Sequence, residues 1–575
     1  MKEYFPILEW LPNLSKKSIQ NDFVAGLTVG IMLVPQGMAY ALLAGLPPVF
    51  GLYAALVPQV IYAIMGTSRQ LSVGPVAMDS LLVASGLAAL KLSGINEYIS
   101  MAIFLAFFMG LIQLVLGFLR MGFLVNFLSK PVISGFTSAA AIIIGLSQLK
   151  HLVGAPFESS NKIHLLLIEF IDKSSQIHLI TLFIGLIAIA ILVLLKKLNP
   201  SIPGALIAVI LSSIWIKYFG EDSGVSIVGI VPEGLPSFRL PEIELINITK
   251  ILPLALTLAL IAFMEAISVA KAIEEKKDYS INPNQELIAL GASNIVGSLF
   301  QSYPTTGGFS RTAVNDQAGA NSGLASIISA IVVGLTLLFL TPLFYFLPNT
   351  ILASIIMVAV FKLIDFESPK KLWKSSKSEF YILLFTFFIT LFIGIKEGII
   401  LGVLASLLLL VYRSTQPHVA VLGKIKGTDY FKDIDRFTED IETYESLLLL
   451  RFDEQIYFGN SQFFKEQLLE RVNQKKGKLT VVILSSGGIN YIDSSGMKTL
   501  NEIVLTLKSK NIQFYIAGAI GPVVDSLFKS GVSKAIGSQH FFANTQQAFA
   551  FFKNKNPKNK IEEKISLQAN TEILE

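Results

Sequence analysis

Apolar runs of membrane-spanning length recur from about Asp22 to Arg413, and that repetition limits the fold more than any other feature of the sequence. A helix of about twenty apolar residues crosses the roughly 30 Å hydrocarbon core of a bilayer, and lipid tolerates only elements that satisfy their own backbone polar groups. Of the 575 residues, 53% are hydrophobic and 15% charged, with a mean hydropathy of +0.62. Ordinary soluble domains are about 45 to 50% apolar and about 25% charged. The chain reads as a polytopic α-helical membrane protein followed by one soluble-looking stretch, with the division at Tyr412 to Gln416.

Counting runs broken by Gly, Pro or charge gives about fourteen spans. The first seven centre near residues 33, 58, 82, 109, 140, 186 and 211, and the second seven near 262, 293, 313, 332, 356, 388 and 405. Lysine and arginine in short loops resist translocation. With a cytoplasmic N-terminus, Lys16, Lys17, Arg69, Arg120, Lys130, Lys196, Lys197, Lys276, Lys277, Lys370, Lys371, Lys374 and Lys377 fall inside, a bias that favours both termini in the cytoplasm; the expected location is the cell's inner (plasma) membrane. The start, MKEYFPILEWLPNLSKKS, lacks the layout of a signal peptide.

Several classes are excluded. No cysteine is present, so neither a disulfide framework nor a thiolate metal site is expected. The net charge of +5 is spread through loops, which is no footprint for nucleic acid. His151, His164, His178, His418 and His540 show no metal-ligand spacing, and neither a phosphate-cradling loop nor a nucleophile elbow is found. The chain is expected to be no enzyme and to need no cofactor or metal. Phe104, Phe107 and Phe108 read as lipid-facing or packing groups.

The third and tenth spans are unusual. SVGPVAMDSLLVASGLAAL (72–90) opens with Gly74-Pro75, and PTTGGFSRTAVNDQAGA (304–320) with Gly307-Gly308, each after an extended polar stretch. Proline at a first helical turn loses no intrahelical bond, and glycine lets backbone approach a partner. Both read as helices that begin within the membrane, where unpaired first-turn amides and the positive end of the helix dipole suit an anion. Two such starts in two halves of about seven spans predict an inverted repeat with a site between them. PQGMAYA around Gln36 and MEAISVA around Glu265 also hold equivalent places, first in each half.

Ionisable groups within spans are costly and need a reason. Glu265, in LALIAFMEAISVAKAI, reads as a coupling group that tracks proton or ion binding; the alternative is a structural partner for Arg311. Arg311 is either a fixed positive charge at the site or an anchor for its half-helix. Ser310 can donate to an anion from the first turn, or back-bond to its helix. Asp79, one turn into the third span, is a second candidate coupling residue, and an acid there either binds a cation, stays protonated or points away.

The matching stretches VPQGMAYALLAGLPPVFGLY (34–53), SVGPVAM (72–78), MGFLVNFLSKPVISGFTSAAAIIIGLSQL (121–149), FMEAISVAKAI (263–273) and GGFSRTAVNDQAGA (307–320) together resemble the SulP family of anion transporters. The resemblance implies fourteen spans in seven-plus-seven inverted repeats, with spans one to four and eight to eleven as a mobile core and the rest as a gate. By motif position it implies an anion pocket at Gln36, Tyr40, Gly74, Val76, Gly308, Phe309, Ser310 and Arg311. Glu265 matches the acidic position of the eighth span in many proton- or sodium-coupled members. Asp79 is no required part of that pattern.

After Gln416 the apolar strands LLLLRF (447–452), TVVILSS (480–486) and FYIAGA (514–519) alternate with amphipathic stretches from Ser461, Ser495, Pro522 and Asn544, the order of a small α/β domain. INYIDSSGMKTL (489–500) resembles the STAS domain, in which the serine matching Ser495 can be phosphorylated; the alternative is that Asp493 and the serines cap a helix. The expected domains are 1–416 for transport, 417–552 for a cytoplasmic STAS module with a dimerisation or regulatory role, and 553–575 as a disordered tail. Expected partners are a small inorganic or carboxylate anion, a coupling H+ or Na+, membrane lipid, a second copy as homodimer and a cytoplasmic regulatory protein. Few oxygen ligands surround Glu265 beyond Ser268, which favours protons over a Na+ cage. The leading reading is a secondary active anion transporter with alternating access, against an uncoupled exchanger or channel and, from another class, a membrane-anchored regulatory platform.

Overall fold

The computed structural model describes residues 3–88, 90, 92, 94–123, 129–156, 162–198, 204–220, 223–241, 245–274, 277, 279–437, 440–475, 477–555 and 561–563. The chain forms two compact units, Met1–Ser406 and Leu407–Glu575.

Each expected span centre falls within a helix. In the first half these are α1 (Lys16–Leu43), α2 (Val57–Met65), α3 (Ala77–Ala88), α4 (Ile95–Phe118), α5 (Lys130–Ser147), α6 (Leu179–Leu198) and α7 (Gly204–Phe219). The second half has α8 (Leu245–Glu274), α9 (Pro283–Leu299), α10 (Phe309–Gln317), α11 (Leu324–Leu335), α12 (Asn349–Phe361), α13 (Lys377–Phe392) and α14 (Ile395–Thr415). Among the described residues, 6 helical stretches are long and apolar enough to cross a membrane, and α3 is among the shorter apolar ones. α14 runs past the boundary between the units.

Local sequence sets the ends and bends of these helices. Ser15 and Ser18 form a reciprocal capping box at the start of α1. Pro35, inside α1, cannot donate to the preceding turn and loosens the helix beside Gln36. Asn282 caps α9 by accepting from Asn284 and Gln285 amides.

Glycines decide which helices meet. Apolar side chains gain little from leaving lipid, so close backbone packing drives association. α4 crosses α9 at Gly110 and Gly291, where a Cβ on either would stand 2.7 Å from the other's carbonyl oxygen. α1 meets α11 the same way, with Gly26 against the Ala325 carbonyl. α1 to α4 and α8 to α11 pack chiefly on one another, whereas α5 packs on α13 and α6 on α12. This grouping matches the expected core and gate sets.

Two short strands lie in the first unit, β1 (Val73–Gly74) and β2 (Thr306–Gly307). The second unit holds β3 (Val419–Ile425), β4 (Phe431–Asp433), β5 (Ile441–Tyr444), β6 (Leu447–Phe452), β7 (Val481–Ser485), β8 (Gln513–Ala517), β9 (Phe541–Phe542) and β10 (Ile561–Glu563). The sheet order is β10-β5-β3-β6-β7-β8-β9, with β4 beside β3. β6 to β9 are parallel and β3 runs antiparallel to its neighbours. Period-two alternation along LLLLRF sends Leu448, Leu450 and Phe452 to one face and Leu447 and Leu449 to the other. Helices α15 (Ser461–Gln474), α16 (Ser494–Ser509) and α17 (Gly521–Lys529) cover the first face, and α18 (Thr545–Lys555) covers the second through Phe549 and Phe552. Of the expected tail, Lys553–Lys555 finish α18 and Ile561–Glu563 pair with β5; its other residues lie outside the described ones.

Candidate functional site

The two unusual stretches find each other. β1 and β2 pair antiparallel, with Val73 opposite Gly307 and Gly74 opposite Thr306. The Gly308 amide donates to the Ser72 carbonyl at 2.9 Å, and the Ser72 amide to Thr312 Oγ1 at 3.0 Å. Extended backbone buried in a helical bundle would otherwise leave polar groups unpaired. α3 and α10 start directly after this pairing, and the first-turn amides of each have no acceptor within their own helix.

Two details differ from the sequence reading. Pro75 precedes α3 instead of occupying its first turn, so its carbonyl is free to accept from elsewhere. Gly307 belongs to β2 and Gly308 is the N-cap of α10. The need for glycine here is steric: a Cβ on Gly307 would stand 2.6 Å from Leu71 Cδ1, and one on Gly308 2.7 Å from Arg311 Cζ.

Arg311 joins the two halves. Its side chain is 2% exposed, and Nη1 donates to the Pro75 carbonyl at 2.8 Å. Nε and Nη2 have no hydrogen-bond partner. A Cβ on Gly74 would lie 3.4 Å from Nη2, so glycine leaves the guanidinium its room. One edge of the planar guanidinium therefore braces α3 while two further donors stay uncommitted, a geometry suited to an oxyanion.

The acids do not neutralise it by contact. No ion pair within 4.0 Å joins Glu265 and Arg311 among the described residues, though each charge acts on the other at longer range. Glu265 Oε2 has no hydrogen-bond partner. Asp79 is 0% exposed, both its oxygens lack a donor, and Glu265 acts on it electrostatically. Tyr40 on α1 interacts with the charges of Arg311 and Glu265, and Tyr303, ahead of β2, with those of Arg311 and Asp79.

Tyr40, Gly74, Gly308, Arg311, Glu265 and Asp79 thus form one cluster. Val76 is buried at the start of α3. Gln36 is buried on α1, and a Cβ on the adjoining Gly37 would lie 3.8 Å from Pro75. Phe309 and Ser310 begin α10 and are accessible, with Phe309 57% exposed and Ser310 also exposed. Ser268 is exposed. Ser495 belongs to the second unit, where Asp493 caps α16 by accepting from the Gly496 amide at 2.7 Å.

Sequence reasoning missed the braces. Asn294 on α9 accepts from the Thr305 amide at 2.9 Å and donates to its carbonyl at 3.0 Å, gripping the strand approach as a neighbouring strand would. Thr306 Oγ1 donates to the Ala262 carbonyl and Gln70 Nε2 to the Ala320 carbonyl. Asn315 Nδ2 donates to the Gln70 carbonyl, and Ser80 bonds with Tyr303 through their hydroxyls. Buried Glu286 accepts from Tyr62, Thr67 and Ser68, and buried Asp22 from Asn321 and Ser322. A lone amide or acid in an apolar run was the available signal, as at Asn294 in ALGASNIVG.

A helical membrane unit whose two broken helices start against each other around a buried arginine, followed by an α/β module, defines a class of polytopic protein built around an internal polar site. The profile of the Sulfate permease family matches residues 19–386 and that of the STAS domain residues 439–548. The chain is similar to Probable sulfate transporter 4.2 of Arabidopsis thaliana, 38% identical over 562 residues, covering 95% of this chain and 83% of that protein. It is also similar to the structure of the murine Solute Carrier 26 family member A9 anion transporter in the inward-facing state, with 26% identity, TM-score 0.88 and coverage of 96% and 94%. The transmembrane domain of the cyanobacterial bicarbonate transporter BicA shares the fold at 23% identity and TM-score 0.59, covering 69% of this chain and 98% of that one. This chain belongs to the sulfate permease family.

Proposed function

We propose that the protein is a secondary active transporter of a small anion of the sulfate, bicarbonate or dicarboxylate class, held between the starts of α3 and α10 and coupled to H+. The observation that carries this reading is Arg311, buried, braced on Pro75 and left with two unpartnered donors beside two helix N-termini. Each terminus carries roughly half a positive elementary charge, and the first-turn amides and the Ser310 hydroxyl supply further donors. Gly74, Val76 and Gly308 let backbone come close, while Gln36, Tyr40 and Phe309 complete the walls.

Glu265 supplies the coupling. When an anion takes the Arg311 donors, an ionised Glu265 loses its countercharge, so anion and proton bind together. Core helices α1 to α4 and α8 to α11 then move as one body against the gate, in an elevator-like exchange of access. Relatives named as sulfate transporters and a family neighbour named as an anion transporter support this substrate class. The same reading has both termini in the cytoplasm, the protein in the inner (plasma) membrane as a homodimer, and the STAS module as a docking surface for a regulatory protein, with Ser495 as its modifiable residue.

Uptake of labelled sulfate, bicarbonate and dicarboxylates into proteoliposomes under imposed pH or Na+ gradients tests this. A pH gradient is expected to drive uptake in the wild type and to drive it less in Glu265→Gln. Gradient-independent uptake in both proteins would rule out coupling and leave an exchanger or channel.

A further inference from the structure

Asp79 is a buried acid that the coupling scheme above does not use. We propose that Asp79 and Glu265 form a two-carboxyl proton site, both of whose members must be protonated for the anion to be held, so that one anion travels with two protons. The inference rests on the transport reading and deepens it.

The geometry carries it in three steps. First, both Asp79 oxygens and Glu265 Oε2 lack a hydrogen-bond donor, and Asp79 is fully enclosed. An ionised carboxylate in that setting has nothing to replace its lost water, whereas the neutral acid avoids the penalty. Second, Arg311 is the one cation acting on Glu265 among the described residues, and no cation acts directly on Asp79. With Nη1 committed to Pro75, Arg311 keeps Nε and Nη2 for a single anionic group. A bound oxyanion that takes both leaves two acids with no countercharge, and each must then carry a proton. Third, Asp79 lies in the first turn of α3, where the helix dipole favours negative charge. That field opposes the burial, so the group can ionise when the anion leaves and is not a permanently silent acid.

The titratable groups around the pair come from each packed element: Tyr40 on α1, Tyr303 ahead of β2 and Arg311 on α10. None supplies a second positive charge. With both acids ionised, the cluster of Asp79, Glu265 and Arg311 carries a charge of −1. A divalent anion would take it to −3, and two protons return it to −1.

Proton linkage counts the groups directly. The slope of log affinity against pH equals the number of protons taken up with the anion. Sulfate binding to the purified full-length protein, measured by titration calorimetry across alkaline pH, is expected to weaken about a hundredfold per pH unit in the wild type. In Asp79→Asn or Glu265→Gln it should weaken about tenfold per unit, and in the double variant not at all. Sulfate binding itself reports that each variant is folded; for a variant that binds none, melting in detergent separates misfolding from a lost site, and Asp79→Glu should restore the two-proton slope. A wild-type slope in Asp79→Asn with a reduced slope in Glu265→Gln overturns the second proton alone. An unchanged slope in Glu265→Gln overturns the coupling reading beneath it.

Discussion

Among single residues, Arg311 contributes most to the proposed site, with two buried donors left unpartnered. Lysine keeps the charge but cannot reach Pro75 and hold an oxyanion at once, because an ammonium lacks the planar fork. Arg311→Lys is expected to lower anion affinity by at least tenfold in equilibrium binding. Ser310→Ala removes one hydroxyl donor to a charged ligand, worth about 1.5 to 3 kcal/mol, so affinity should fall roughly tenfold to a hundredfold. Equal binding in both variants and the wild type would move the site elsewhere.

A second residue-scale prediction concerns pH. Asp453 is partly buried, which raises its pKa, but the paired bonds from Arg451 and the bond from His418 outweigh burial and hold the carboxyl below its ordinary range. A depressed folded-state pKa contributes stability that is present above the unfolded value, roughly 3.9, and is lost as pH falls through the folded one. Arg451→Gln should therefore shift acid unfolding of the C-terminal unit to higher pH, readable by limited proteolysis against pH. No shift would mean that the pair is too well solvated to matter.

At the scale of elements, the sequence announced the two half-helices but not how they meet. Gly-Pro and Gly-Gly after polar stretches mark extended backbone followed by a helix. The pairing of Val73 with Gly307 joins residues far apart in the chain and leaves no local periodicity to read. The same holds for β3 and β5, short strands whose alternation is broken by polar residues, whereas LLLLRF, buried on both faces, stood out at once. Asp493 was legible as a cap because capping is local. Asn294 was not, because its partners lie 11 residues on, across a turn. Asn294→Ala leaves the Thr305 amide and carbonyl unpaired in a buried site, at a cost of about 1 to 3 kcal/mol. The melting temperature in detergent should drop by a few degrees, and anion affinity should drop with it as the β1–β2 start loosens. A drop in stability alone would make Asn294 a packing residue without influence on the site.

At the scale of the whole molecule, apolar runs marked most of the membrane helices, but the polar α10 was legible only from the Gly307-Gly308 start ahead of it. Which helices pair was less legible, being set by single glycines such as Gly110 and Gly291. The chain's composition pointed to a membrane protein, but the shared cluster of Tyr40, Asp79, Glu265 and Arg311 needs residues from two spans in each half, α1 and α3 with α8 and α10. In the proposed cycle an anion bound at the paired starts of α3 and α10 is carried across the membrane with protons. Labelled sulfate uptake into proteoliposomes under an inward proton gradient tests it most directly, with wild type and Arg311→Gln compared at matched insertion. Uptake above the gradient-free level is expected in the wild type and its loss in Arg311→Gln; equal proton-driven uptake by the two proteins would place the anion site elsewhere.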